Sequence, residues 1–102
     1  MEIQVQDLEQ AYTFSHGGVF SKVLVRTSKC DHTLFCMAAG TSISEHTSTR
    51  EAAITVLKGE GVCTLAGREE AMRPGTFIFM PANTPHALRA EKDLAFLLSL
   101  SF

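Results

Sequence analysis

Two histidines, His46 and His86, are the residues of this chain best suited to do chemistry. Each ends a stretch that begins at a glycine and contains β-prone residues: GTSISEH runs from Gly40 to His46, and GTFIFMPANTPH runs from Gly75 to His86. A neutral imidazole ring binds a divalent metal or hydrogen-bonds a ligand through one of its nitrogens. We predict that the chain folds so that the two rings face each other inside one barrel.

The elements that must position these histidines have the pattern of short strands. β-Prone runs recur at roughly ten-residue spacing, with glycine, proline or polar turns between them. No long helix is predicted, and residues 7–12 are expected to form a helical turn at most. The pattern favours an all-β sandwich or barrel. About nine strands are predicted, over residues 19–27, 34–39, 43–47, 53–57, 62–65, 70–72, 77–80, 86–89 and 94–100.

Length and composition indicate one ordinary globular domain. The 102 residues are 45% hydrophobic and 20% charged, with a net charge of −2. A chain of this length and apolar content can bury a core without stabilisation by disulfides or metals. No basic stripe is present, so nucleic-acid binding is not expected. No apolar run reaches the length of a membrane span, and the N-terminus lacks a signal-peptide pattern.

The cysteines and the remaining aromatic and histidine residues have simpler interpretations. None of the three cysteines lies in a CxxC motif, which together with the missing export signal predicts reduced thiols and a cytoplasmic location. Phe77, Phe79 and Phe96 are predicted to lie mostly in the core. His16 is predicted to be an exposed turn residue, and His32 a loop residue.

Beyond these local patterns, the two glycine-to-histidine stretches resemble the two motifs of the cupin family. Gly40, His46 and Gly59 match the first motif at the family's gaps, and the second motif is matched by Gly75, Pro81 and His86. The resemblance covers residues 34–100. It implies an antiparallel β-barrel of jelly-roll type, the double-stranded β-helix, with a core barrel over residues 33–100 and an N-terminal arm over residues 1–18 of a single domain, 1–102.

The chain departs from the family motifs at positions that matter for metal binding. The second histidine of the first motif falls on Ser48, and its glutamate falls on Ala52, so two of the four usual ligands remain. In the second motif, Asn83 and Ala90 replace a glycine and an asparagine; asparagine tolerates the left-handed turn geometry that glycine takes. The resemblance implies a divalent transition metal, Zn, Fe, Ni or Mn, held by His46 and His86.

Several side chains are candidates to complete such a site. Ser48 is a poor metal ligand but can hydrogen-bond a bound water or substrate. Glu51 is adjacent to the missing carboxylate, but a one-residue shift in a strand turns its side chain to the opposite face unless a β-bulge intervenes. Glu45 is expected on the outside for the same reason. Three further candidates are not selected by any spacing: Cys36, Cys63 and His32.

Two functions follow from this pattern. The first is a binding protein whose interior pocket, lined by His46, Ser48 and His86, holds a small polar metabolite with or without a divalent metal. The second is a metal-dependent enzyme, an oxygenase, isomerase or decarboxylase acting on a small organic acid or sugar. The resemblance also implies a homodimer that pairs through an edge sheet, with the N-terminal arm and the terminal strand 94–100 as the expected contacts.

Overall fold

A computed structural model describes residues 2–101 of the chain, and the two ends of the predicted domain, Met1 and Phe102, lie outside the described residues. One 3-10 helix, Leu8–Gln10, precedes nine strands. The strands are β1 (Val19–Arg26), β2 (Cys30–Met37), β3 (Ser42–His46), β4 (Ala52–Lys58), β5 (Gly61–Leu65), β6 (Arg68–Met72), β7 (Phe77–Met80), β8 (His86–Ala90) and β9 (Leu94–Ser101). The predicted all-β chain of nine short strands is therefore confirmed.

The strands form two antiparallel sheets. The larger sheet has the order β1-β2-β9-β4-β7, and the smaller has the order β3-β8-β5-β6. Within the described residues the edge strands of one sheet do not bond to those of the other, so the single closed barrel of the prediction is not formed. Strand β9 lies between β2 and β4. Because both of its edges are already bonded, the expectation that it pairs with a second copy is wrong.

Strand β2 begins four residues earlier than predicted, because the turn before it is very tight. The backbone amide of Thr27 donates to the carbonyl of Cys30, and the Thr27 hydroxyl accepts from the amides of Lys29 and Cys30. These bonds close a hairpin around residues 28 and 29 alone. His32 consequently lies within a strand, and the prediction that it is a loop residue is wrong.

The main core lies between the two sheets. Buried side chains from β2, β4, β7 and β9 meet those from β5, β6 and β8, which include Cys63, Met72 and Leu88. Phe96 is buried and stacks on Phe35, with ring centroids 5.1 Å apart. The predicted core position of Phe96 is correct, but Phe77 and Phe79 on the edge strand β7 are exposed. Their burial was predicted wrongly because they alternate with the buried Ile78 and Met80, so their side chains point to the outer face of the sheet, which is uncovered at β7.

A second, smaller apolar cluster covers part of the outer face of the larger sheet. Leu34, Cys36 and Ala95 are buried there, and the N-terminal arm packs over them with Tyr12 and Phe14. The arm therefore acts as a cover for this face of the sheet. No helix among residues 2–101 has the length and apolar character needed to cross a membrane.

Candidate functional site

Strands β3 and β8 bring His46 and His86 together. The two residues are direct partners in the antiparallel pairing, and their ring centroids lie 4.1 Å apart with the planes inclined by 56°. His86 is buried, with 7% of its surface exposed, whereas His46 is exposed at the rim. The predicted meeting of the two rings is therefore observed, with one ring inside and the other at the opening.

A bulge in β3 turns His46 inward. Ile43 pairs with Leu88, and the register then shifts so that His46, rather than Glu45, pairs with His86. In a regular strand, residues three apart would point to opposite faces. Because of the extra residue, Ile43 and His46 both line the same cavity. Glu45 is not among the cavity's lining residues.

Backbone carbonyls hold both imidazoles in the same tautomer, with the hydrogen on Nδ1. Nδ1 of His46 lies 2.9 Å from the carbonyl oxygen of Ser44, and Nδ1 of His86 lies 2.8 Å from that of Thr84. A carbonyl oxygen only accepts, so each Nδ1 must carry the hydrogen and donate it. Each neutral ring therefore presents the lone pair of Nε2, which no hydrogen bond within residues 2–101 occupies.

The cavity beside the histidines is small and otherwise apolar. Its volume is about 80 Å³, and apart from the two imidazoles it is lined by aliphatic and aromatic side chains: Phe35, Ile43, Ile54, Leu88, Phe96 and Leu98. A larger depression of about 450 Å³ lies nearby, with Leu65 and Thr84 among its lining residues. Leu65 pairs with His86, and the Thr84 carbonyl accepts its hydrogen bond, so two residues of this depression are neighbours of His86, although the two spaces share no lining residue.

Ser48 and Glu51 lie outside the lining of this cavity. The Ser48 hydroxyl accepts from the backbone amide of Arg50 at 3.1 Å and so closes the loop that follows β3. Glu51 lines a different depression, on the outer face of the larger sheet, together with Ala53 and Phe79. Ala52, the next residue, is buried in the core and stands where the family motif has a carboxylate.

The other candidate ligands also lie elsewhere. His32 faces the outer side of the larger sheet, where its Nδ1 bonds the hydroxyl of Ser99 at 2.8 Å. Cys36 is buried beneath the N-terminal arm. Cys63 lies in the main core, and burial raises the pKa of its thiol to about 11. At neutral pH this thiol stays protonated, which is the form that does not bind metals.

The side chains at this site could hold a metal through two imidazoles, but they could not complete its coordination with protein ligands alone. The carbonyl bonds to Nδ1 are the outer contacts that orient metal-binding histidines and direct Nε2 outward. Among residues 2–101, no group of three or more His, Cys, Asp or Glu side chains is arranged to hold a metal. The remaining coordination positions would have to come from water or a bound molecule.

Comparison with known proteins agrees with this architecture. The sequence profile of the Cupin domain family, Cupin_2, matches residues 33–100. The chain belongs to the cupin family. A conserved protein of unknown function from Streptococcus pyogenes is 30% identical, with a TM-score of 0.87 over 99% of this chain and 89% of that one.

Two more distant solved structures share the fold alone. A cupin superfamily protein from Desulfitobacterium hafniense is 22% identical, with a TM-score of 0.89 over 100% of this chain and 94% of that one. The DMSP lyase DddQ from Ruegeria pomeroyi is 21% identical, with a TM-score of 0.77 over 82% of this chain and 47% of that one. No curated protein matches the chain.

The structure also explains one of the cupin motif departures. Asn83 has φ 66°, so it takes the left-handed conformation that glycine adopts at this place in the motif, and the predicted tolerance for asparagine is confirmed. The carbonyls of Ser44 and Thr84 are the site contributors that sequence reasoning missed. No sequence signal could have revealed them, because every residue carries a carbonyl and only the local backbone path aims it.

Proposed function

We propose that this cupin is a binding protein that holds a small molecule at the paired Nε2 atoms of His46 and His86. In this proposal the two sheets act together as a jelly-roll barrel whose interior opens beside His46. The supporting observation is that backbone carbonyls occupy both Nδ1 atoms. Both rings direct an unoccupied Nε2 lone pair toward the mouth of an apolar cavity, so a polar or coordinating group of a ligand finds two preoriented acceptors there.

The dimensions of the site describe the ligand. The 80 Å³ cavity is far smaller than the roughly 300–1,000 Å³ of ordinary ligand pockets, so it takes only one end of a molecule. The remainder of the molecule extends past the exposed His46 toward solvent. The ligand is therefore a small polar metabolite whose donor group meets the histidines, with a short apolar portion against Phe35 and Ile54.

A metal-dependent enzyme is the second candidate, and the same geometry favours it. His46 and His86 would hold a divalent transition metal, Zn, Fe, Ni or Mn, through Nε2, with several coordination positions open to a substrate. When bound, such an ion supplies Lewis-acid or redox chemistry. The chain's own contribution would be to orient both ligands through Ser44 and Thr84 and to exclude water with apolar walls. The substrate would be a small organic acid or sugar.

Metal content and ligand-induced stabilisation of untagged protein test these proposals. We expect small acids or sugars, alone or with one of the four metals, to raise the melting temperature of the wild-type chain. The double substitution His46→Ala with His86→Ala should abolish that rise and any bound metal. The matched control is His16→Ala with His32→Ala, which removes two imidazoles remote from the cavity and should change neither result.

The outcomes separate the two candidates. Near-stoichiometric metal that is lost in the His46/His86 variant supports the enzyme, and its occupancy should fall on acidification because protonated imidazole has no lone pair to donate. Metal content that is unchanged between pH 8 and pH 5 contradicts ligation by these residues. Stabilisation by an organic ligand without metal supports the binding protein. Neither metal nor stabilisation in the wild-type chain overturns the proposal.

A further inference from the structure

The cavity beside the histidines has a closed end and an open end. At the closed end, Ile54, Phe96 and Leu88 are 1%, 2% and 5% exposed, and all three belong to the main core. The other lining residues lie nearer the solvent. His46 is exposed, and three apolar residues are half-buried: Phe35, Ile43 and Leu98. A molecule that enters on the His46 side therefore stops against Ile54 and its buried neighbours.

The closed end accepts hydrocarbon and excludes charge. Its walls are aliphatic side chains and the stacked rings of Phe35 and Phe96, whose planes are parallel to within 1°. Among residues 2–101, no carboxylate or basic side chain is part of the lining, since Ala52 replaces the acidic ligand of the motif. A charged group placed at this end would lose its hydration and find no partner. The part of a ligand that fills it is therefore an alkyl group.

The volume of the cavity limits the length of that alkyl group. An apolar cavity of about 150 Å³ holds benzene, which has six carbon atoms. The cavity here measures about 80 Å³, roughly half of that volume. It therefore holds about three carbon atoms, and a longer chain would have to displace Ile54 or Phe96 from a packed core.

The histidines decide which group follows the alkyl chain. Nδ1 of His86 donates to the Thr84 carbonyl, so Nε2 accepts, and the ligand must present a hydrogen-bond donor. An ammonium group would bring a charge that no lining carboxylate neutralises. A hydroxyl is the smallest uncharged donor, and its single hydrogen meets Nε2 of the buried His86. The Nε2 atom of the exposed His46 bonds water or a second oxygen of the ligand.

We propose that the ligand of this site is a 2-hydroxy acid whose side chain has about three carbon atoms. The side chain lies against Ile54 and Phe96, the hydroxyl donates to Nε2 of His86, and the carboxylate stays in water beyond His46. Because the carboxylate cannot enter the apolar end, the molecule binds in one orientation. This inference rests on the proposed function, since it names the ligand of the same site. Ile54 is the residue that sets the length of the side chain.

A series of straight-chain 2-hydroxy acids tests the proposal by calorimetric titration of the untagged wild-type protein. Lactate has a side chain of one carbon, and the next four homologues extend it to five. We expect the Kd to fall about fourfold for each carbon up to three. It should not fall further at four or five, because the closed end is then full. Pentanoate, which lacks the hydroxyl of 2-hydroxypentanoate, should bind about tenfold more weakly than that acid.

Two matched substitutions test the role of Ile54. Ile54→Val removes one methyl group from the closed end, so the best side chain should lengthen from three carbons to four. Ile78→Val makes the same change at a buried residue that pairs with Ile54 but does not line the cavity, and three carbons should remain best. Leu98→Val enlarges the same cavity at a half-buried position and takes the place of Ile54→Val if that variant does not fold.

The outcomes distinguish this inference from the proposed function. Equal affinity at every length overturns the inference, and so does the same best length in Ile54→Val and Ile78→Val. The proposed function survives both results if binding still requires His46 and His86. Binding that persists in the His46→Ala/His86→Ala variant overturns the proposed function and the inference together. A wild-type protein that binds none of these acids, yet is stabilised by another small molecule through the two histidines, overturns the inference alone.

Discussion

At the scale of single residues, backbone groups rather than side chains decide what the two histidines can do. Ser48 and Ala52 occupy the positions where the family motif has ligands, yet the carbonyls of Ser44 and Thr84 hold both rings by Nδ1. The rings are thus oriented before any ligand arrives, which reduces the entropy that binding must overcome. The loss of two ligands weakens metal affinity but does not remove this orientation.

Asp31 is the buried charge whose titration should be visible in stability. Only 3% of its surface is exposed; Oδ1 accepts from the Thr33 hydroxyl at 2.8 Å, and Oδ2 accepts from Nε of Arg26 at 2.5 Å. Burial is the largest single influence and raises the pKa of Asp31. The hydrogen bonds from Thr33 and Arg26, with the charges of Arg26 and His32, outweigh it and lower the pKa below the usual 3.8.

A pKa that is lower in the folded state means that ionised Asp31 stabilises the fold above pH 4 and that this contribution is lost as pH falls through the lowered value. Asp31→Asn should cost roughly 1–2 kcal/mol at neutral pH and make the free energy of unfolding less dependent on pH below 4. Urea unfolding at several pH values measures both effects. Glu60→Gln, which removes an exposed partner of Lys92, is the control. Equal acid dependence in wild type and Asp31→Asn would show that Asp31 is not responsible.

At the scale of elements, one bulge builds the site, and one close contact between turns fixes how two hairpins meet. The bulge in β3 brings His46 to the inner face. The turn after β4 places Gly59 against the turn before β9, where a Cβ at Gly59 would overlap the carbonyl oxygen of Asp93. Gly59 also has φ +88°, so both its backbone conformation and its close contact with Asp93 require a residue without a side chain. Gly75 shares a similar φ of +92° but has open space where its Cβ would be.

These two glycines give a matched test of why the motif contains them. Gly75→Ala should lower the free energy of unfolding by about 1 kcal/mol, because the substitution only strains the positive φ of the backbone. Gly59→Ala should cost more than about 3 kcal/mol, because the β4–β5 and β8–β9 turns must also move apart. Chemical denaturation of both variants measures the difference. Similar losses in the two proteins would mean that the contact at Asp93 relaxes easily and that φ alone explains both glycines.

At the scale of the whole molecule, the chain has two sheets with a shared core and one incompletely covered outer face. The histidine cavity and the outer depression lie on different faces of the larger sheet, whose residues alternate between them: Ile54 lines the first, and Ala53 lines the second.

Association of two copies should make thermal stability depend on concentration. Because dimerisation stabilises only the folded state, the melting temperature of the wild-type chain should rise by roughly a few °C for each tenfold increase in protein concentration. Calorimetry over a hundredfold concentration range provides the measurement. A wild-type melting temperature independent of concentration contradicts a dimer that dissociates on unfolding.

The sequence by itself determined the number of strands, most of their bounds to within one residue and the encounter of two histidines. Turn residues and β-prone runs act locally, so they can be recognised from the sequence without a structure. The predicted strand 77–80, for example, has the observed bounds. The early start of β2 was missed because Thr27 shortens its turn through hydrogen bonds that composition does not show. The glycine and histidine spacings carried the family resemblance, and the site prediction followed from it.

Only the tertiary structure decided which face each residue occupies and what surrounds it. His46 faces inward because of a register shift against β8, and β9 became a central strand because β2 and β4 both bond to it. Phe77 and Phe79 are exposed because they lie on the outer face of β7, opposite the buried Ile78 and Met80. Each of these features depends on pairing between segments far apart in the chain. The tendency to form a strand depends on the residues of one segment. The register of two paired strands, and the covering of a sheet face by another segment, depend on two segments at once, so the pattern within one segment cannot predict them.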